Sequence, residues 1–257
     1  MVAERRRGVA VGTHAAANLI RPQLRKLDPR VERRLRRYAD RVREPVHWGT
    51  LRRSDPFDDD GGWGRGVPVD RLLTERFIGR HATDLRGDVL ESGQGALAER
   101  FGGTRVRRIE VLGSTPNPKS TFIADLCEPG ALGDRQFDCC LMGEDSGGWT
   151  APRVALAALW RSLAPGGVLL VATPVLGRLR PGDPQGPGRW CATPAHLASH
   201  VDEACPAGEV SVGSLGGLVT ALAALLGLAG DEVRPGDLAA DDPRYPVVAG
   251  ARVRKVP

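Results

Sequence analysis

The residues best suited to chemistry lie between Asp88 and Gly103, in the run DVLESGQGALAERFGG. Val89 and Leu90 read as the end of a buried strand, and Glu91 follows at its carboxyl end. Gly93 and Gly95 permit a turn that residues with a Cβ resist, and a helix-forming segment follows it. A strand, tight turn and helix in that order offer backbone N–H groups and a helix N-terminus to a ligand at the carboxyl edge of an open α/β sheet. The same order also serves as a plain connection, so the glycine pair leaves both readings open. Glu110 stands 19 positions after Glu91, in the strand-like run VRRIEVL. That spacing suits a carboxylate that accepts hydrogen bonds from a ribose diol, against the alternative of a solvated charge at a strand end. The third glycine of a dinucleotide fingerprint is replaced by Ala98, which leaves a pyrophosphate less room and weakens NAD or FAD as ligands.

Around this unit the pattern alternates between strand and helix. STFIADL (Ser120 to Leu126) and FDCCLM (Phe137 to Met142) read as strands, with a helical segment beginning near Glu128 between them. Leu156, Leu159, Trp160 and Leu163 fall at helical spacing, and LAPGGVLLVATP (Leu163 to Pro174) is the next strand. A helix near Pro194 to Ala204, a strand near Val210, an apolar helix from Leu218 to Leu228 and a last strand from Tyr245 to Val253 complete the chain. Such alternation predicts a mostly parallel sheet with helices on both faces.

With Glu91-x-Gly93-x-Gly95, an acidic residue ending the second strand, Ala124-Asp125-Leu126, Phe137-Asp138 and Leu163-Ala164-Pro165-Gly166-Gly167, the chain resembles the class I S-adenosylmethionine-dependent methyltransferases. The lead-in segments VHWGTLRR and GRGVPVDRLLTERFI are similar to those of bacterial methyltransferase-domain proteins found near sugar and secondary-metabolite genes. The resemblance implies a Rossmann-like methyltransferase fold, a seven-stranded, mostly parallel sheet closed by an antiparallel hairpin, with S-adenosylmethionine as cofactor. It further implies that Glu91, Gly93 and Gly95 surround the methionine part and ribose, that Glu110 holds the ribose hydroxyls, and that Asp125, Leu126 and Met142 lie against the cofactor. Asp125 has an alternative as the N-cap of the segment that follows it. Relatives of this type carry aromatic residues where this chain has Leu72 and Leu73, and a Trp-Arg-Phe-Thr run where it has Trp190-Cys191-Ala192-Thr193. The loop Gly143 to Trp149 also departs from the family pattern, which bears on the acceptor and on methyl transfer itself.

Methyl transfer from a sulfonium depends on in-line positioning and desolvation, with a base assisting an oxygen nucleophile. Glu144, Asp145 and His47 are the candidates for such a base by location, against solvated acids and a packed histidine as alternatives. Trp48, Arg65, Asp70, Arg71 and Trp190 are candidates to line the acceptor pocket, though Asp70 also suits the start of a helix that Pro68 introduces. His196 and His200 lie one helical turn apart, but without a third ligand nearby no metal site is expected. The Pro-, Gly- and Arg-rich stretch from Pro174 to Gly188 reads as a lid or a solvent loop at the cofactor edge.

The net charge of +5 is local: residues 1–45 carry 13 Arg or Lys against 5 Asp or Glu, leaving the remainder near −3. The expected division is therefore an Arg-rich N-terminal extension, 1–45, and a methyltransferase-like domain, 46–257. Within the extension, Asp28 and Pro29 start a helix whose apolar row, Val31, Leu35, Tyr38 and Val42, is flanked by arginines. Packing on the domain, weak contact with an anionic membrane surface, or nucleic-acid binding all fit such a helix, with nucleic acid the less favoured. No targeting signal or membrane-length apolar run is recognised. Five cysteines without zinc spacing suit a reducing cytoplasm. The expected activity is transfer of a methyl group to an O or N atom of a small molecule in bacterial natural-product metabolism. The alternatives are a methyltransferase fold turned to a non-methylating or structural role, and an Arg-helix binding protein.

Overall fold

The computed structural model describes residues 28–43, 49–93, 95–114, 118–143, 148–176 and 190–256. Two compact units meet between Ser54 and Asp55. The first contains α1 (Pro29–Arg43), whose start follows from Asp28: its Oδ1 accepts from Arg30 N at 2.7 Å and its carbonyl from Glu32 N at 2.9 Å. Val31, Leu35 and Tyr38 are exposed along this helix.

In the second unit, the alternation of side chains across strands sorts the apolar residues into two layers. The strands are β1 (Gly87–Ser92), β2 (Val106–Gly113), β3 (Phe122–Ile123), β4 (Phe137–Met142), β5 (Leu163–Pro174), β6 (Gly208–Leu215) and β7 (Val248–Lys255). They form one sheet in the order β3-β2-β1-β4-β5-β7-β6. All neighbours pair in parallel except β7, which runs antiparallel to both β5 and β6. This is the sheet, with its closing antiparallel hairpin, that the resemblance implies.

Leu90, Cys140, Met142, Leu169 and Val171 point to one face, where α4 (Pro152–Arg161) covers them with Leu156 and Leu159 and α5 (Pro194–Ala204) with Leu197 and Val201. Val89, Cys139, Leu141, Val168 and Leu170 point to the other, under Leu73, Phe77 and Ile78 of α2 (Val69–Arg80), Leu97 of α3 (Ala96–Gly102) and Ala221 of α6 (Leu218–Leu226). Burial of apolar area on both faces is what a parallel sheet requires, and it explains the near-continuous apolar runs of β4 and β5. A short α7 (Pro235–Ala239) precedes the last strand. Thr193 caps α5 by accepting from His196 N at 3.3 Å, and Pro194 supplies the first helical position.

Two expectations change. The segment after Asp125 is a series of turns to Asp134, so the helix expected near Glu128 is absent. Asp125 Oδ1 accepts from Cys127 N at 2.8 Å, which closes a local turn in place of a helix cap. The third strand is also shorter than STFIADL suggests, because it pairs only through Phe122 and Ile123 with the end of β2.

Candidate functional site

The crevice at the carboxyl ends of β1, β2, β4 and β5 is the place where ligands bind in open sheets of this type. Its central feature is Glu91. Strand alternation turns this side chain, 2% exposed, toward the α3 face, where Oε1 accepts from Leu97 N at 3.1 Å and Oε2 from Ala98 N at 2.7 Å. The carboxylate thus satisfies two of the N–H groups that a helix start leaves without partners. The turn between them is built on Gly93 (φ +95°) and Gly95 (φ +74°). Gly95 is needed twice over, since its left-handed backbone disfavours a side chain and a Cβ there would lie 2.7 Å from Val111 Cγ2. Gly93 N donates to Leu112 O at 3.2 Å, tying the turn to the end of β2.

Two of the amides at the helix start, those of Leu97 and Ala98, are therefore already taken. A pyrophosphate at the start of α3 would meet the Glu91 carboxylate.

Glu110 lies elsewhere than expected. It pairs in register with Leu90, three residues before the end of β2, and its carboxylate meets Arg108 at 3.1 Å and Arg135 at 3.5 Å. The residue at the crevice end on the same face is Leu112, buried and opposite Ser92. The acidic residue expected to end the second strand therefore lies short of that end. Met142 and Leu126 are buried, 0% and 4% exposed, in the cluster with Leu112 and Trp149.

After β4 and β5, Trp190 stacks on Trp149 with ring centroids 5.6 Å apart, and its edge meets His200 at 5.8 Å. His196 stacks on His200 at 5.1 Å. Thr173 Oγ1, near the end of β5, donates to Trp190 O at 3.4 Å and so draws this aromatic cluster to the carboxyl edge. Burial is the main cause that lowers the His200 pKa, with His196 and Arg153 acting in the same sense and Glu203 against them. His200 Nδ1 is buried without a partner.

The remaining candidates are held in local structure. Arg65 is paired to Glu232, Nε to Oε2 at 2.8 Å, and this pair with the Ala229 amide holds the Glu232 carboxyl at about 2. Asp70 lies in the first turn of α2 and accepts from Arg71 N, while Arg71 Nε meets Glu75 at 3.0 Å along the same helix. The β1 turn and Trp190 thus lie at one edge of the sheet, and Arg65, Asp70 and Arg71 take part in ion pairs and a helix start. His47, Trp48, Glu144 and Asp145 lie outside the described residues, as does most of the stretch from Pro174 to Gly188. Among the described residues no group of three His, Cys, Asp or Glu is arranged for a metal, and no helix is long and apolar enough to cross a membrane.

One residue escaped the sequence reading. Ser92, between Glu91 and Gly93, has a buried Oγ with no hydrogen-bond partner. The only signal in the sequence was a polar residue at a strand position that parity assigns to the core.

No protein-family model and no curated protein matches the chain. Among solved structures, N-methyltransferase NodS from Bradyrhizobium japonicum, in complex with S-adenosyl-L-homocysteine, aligns with 77% of this chain and 93% of its own at 17% identity and a TM-score of 0.47. A SAM-dependent methyltransferase from Archaeoglobus fulgidus aligns with 73% of this chain and 95% of its own at 11% identity and 0.48. The [4+2]-cyclase SpnF aligns with 79% and 87% at 19% identity and 0.48. Likenesses this distant carry nothing about substrate or reaction.

Proposed function

We propose that the chain is an S-adenosylmethionine-dependent methyltransferase acting on an O or N atom of a small molecule in bacterial natural-product metabolism. The observation that carries the reading is the Glu91-x-Gly93-x-Gly95 turn at the carboxyl end of β1, in the middle of a sheet whose last strand is reversed. Glu91 adds a chemical argument. A carboxylate seated on the start of α3 repels a phosphate, whereas S-adenosylmethionine, whose sulfonium and ammonium together outweigh its single carboxylate, is net positive and better tolerated there. The unpartnered hydroxyl of Ser92 at the same strand end suits a polar ligand.

When bound, the cofactor supplies an electrophilic methyl group. Gly93 and Gly95 supply the left-handed backbone that lets this turn form at the crevice, where the ligand would lie. Trp149 and Trp190 exclude water at the acceptor edge, where desolvation favours transfer to a neutral nucleophile. Five cysteines that stand as free thiols support a reducing cytoplasm as the compartment.

A second reading, a methyltransferase fold turned to a non-methylating or structural role, is favoured by Leu112 standing where an acid would hold a ribose. Calorimetry with S-adenosylmethionine, followed by transfer of a radiolabelled methyl group to candidate acceptors, separates the two. Binding with transfer supports the first, binding without transfer to any acceptor supports the second, and absence of binding overturns both uses of the cofactor.

A further inference from the structure

Ser92 is the last residue of β1 and projects on the face that carries Leu90, Leu112 and Met142, all of one buried apolar cluster. It pairs in register with Leu112 on β2, and its neighbour Glu91 pairs with Leu141 on β4. A hydroxyl brings one donor and two acceptor sites. In an apolar setting with none of them used, it costs free energy that an alanine would not. The fold therefore gains nothing from this group. What the surroundings lack explains it: the carboxylate read from sequence as the ribose acceptor, Glu110, lies two residues back on the same face and is held by Arg108 and Arg135. Leu112 occupies the strand end in its place.

We propose that Ser92 Oγ contacts a ribose hydroxyl of the bound nucleoside, one strand away from the position where an acidic residue would do so. This rests on the cofactor reading above. The exchange has a physical consequence. A neutral hydroxyl gives up the strength of a charge-assisted bond, but it both donates and accepts, so it recognises the ribose without a buried charge beside Leu112 and Met142.

The test is calorimetric titration of the full chain and of its Ser92→Ala and Ser92→Thr variants with S-adenosyl-L-homocysteine, alongside thermal melting of each without ligand. Ser92→Ala is expected to melt at or above the temperature of the unaltered chain, because an unmet polar group has been removed, and to bind about ten-fold more weakly. Ser92→Thr, which keeps the hydroxyl, is expected to retain more of the affinity than Ser92→Ala. Unchanged affinity in Ser92→Ala, or a lower melting temperature that accounts for the loss, overturns the assignment of Ser92 and leaves the cofactor reading standing. Failure of the unaltered chain to bind overturns the cofactor reading and the assignment with it.

Discussion

At residues 91 and 110 two glutamates of similar promise in the sequence take opposite parts. Glu91 is buried and joined to two backbone amides at the start of α3. Removing it leaves those N–H groups unpaired away from water, at a cost of about 2 kcal/mol or more. Glu110 instead meets two arginines that are 56% and 45% exposed, and pairs of that kind contribute less than about 1 kcal/mol. Glu91→Ala is therefore expected to lower the urea midpoint clearly, and Glu110→Ala to leave both the midpoint and the affinity for S-adenosyl-L-homocysteine almost unchanged. A large loss of affinity in folded Glu110→Ala would return the ribose contact to that residue.

At the scale of elements, Trp149, Trp190 and His200 join the segment after β4, the entry to α5 and α5 itself. Burial lowers the His200 pKa below its ordinary value, and Arg153 and His196 add to the effect while Glu203 opposes it. The folded state thus binds a proton less readily than the unfolded chain. Its stability is fully present above the unfolded pKa of about 6.5 and declines as pH falls through the lower folded value. His81, also lowered mainly by burial, acts in the same direction. The melting temperature is expected to fall between about pH 7 and 5, and His200→Gln to flatten part of that slope. The same slope in the variant and the parent would remove His200 from the acid response.

For the whole molecule, the thiols report on how completely the sheet is covered. Cys139, Cys140 and Cys205 are buried, while Cys127 and Cys191 are half-buried. Burial raises the Cys140 and Cys205 thiols to about 12, and Cys139 well above its ordinary value. Since the thiolate is the reactive form, iodoacetamide is expected to label only Cys127 and Cys191 in the native protein, as peptide mass mapping would read. All five should react in urea. The division at Ser54 leads to a separate expectation. A chain beginning at Asp55 keeps the whole sheet and the β1 turn, so its cofactor affinity should match the parent's. Its adsorption to anionic vesicles or DNA should fall and lose salt dependence, because residues 1–45 hold a net charge of +8. Loss of cofactor affinity on truncation would show that the N-terminal unit completes the site.

Local signals decided more of the fold than of the site. FDCCLM, LAPGGVLLVATP and the Thr193-Pro194 cap are bounded by residues whose own chemistry starts or ends an element, and the structure has them at the same limits. The end of β2 had no such marker in VRRIEVL; it is decided by pairing with Ser92 on one side and with Phe122 on the other. That non-local ladder carried β2 three residues past Glu110, to Gly113, and set Leu112 opposite Ser92 at the crevice. The turn of Glu91 toward α3 was implicit in strand parity, because the residue shares a face with Val89. The unpartnered state of Ser92 was not, since a hydroxyl is satisfied or orphaned by what two neighbouring strands bring beside it. Periodicity and capping act over a few residues and are written in the chain itself. Which polar groups meet at the sheet edge depends on contacts between distant segments, and only the assembled tertiary structure decides those.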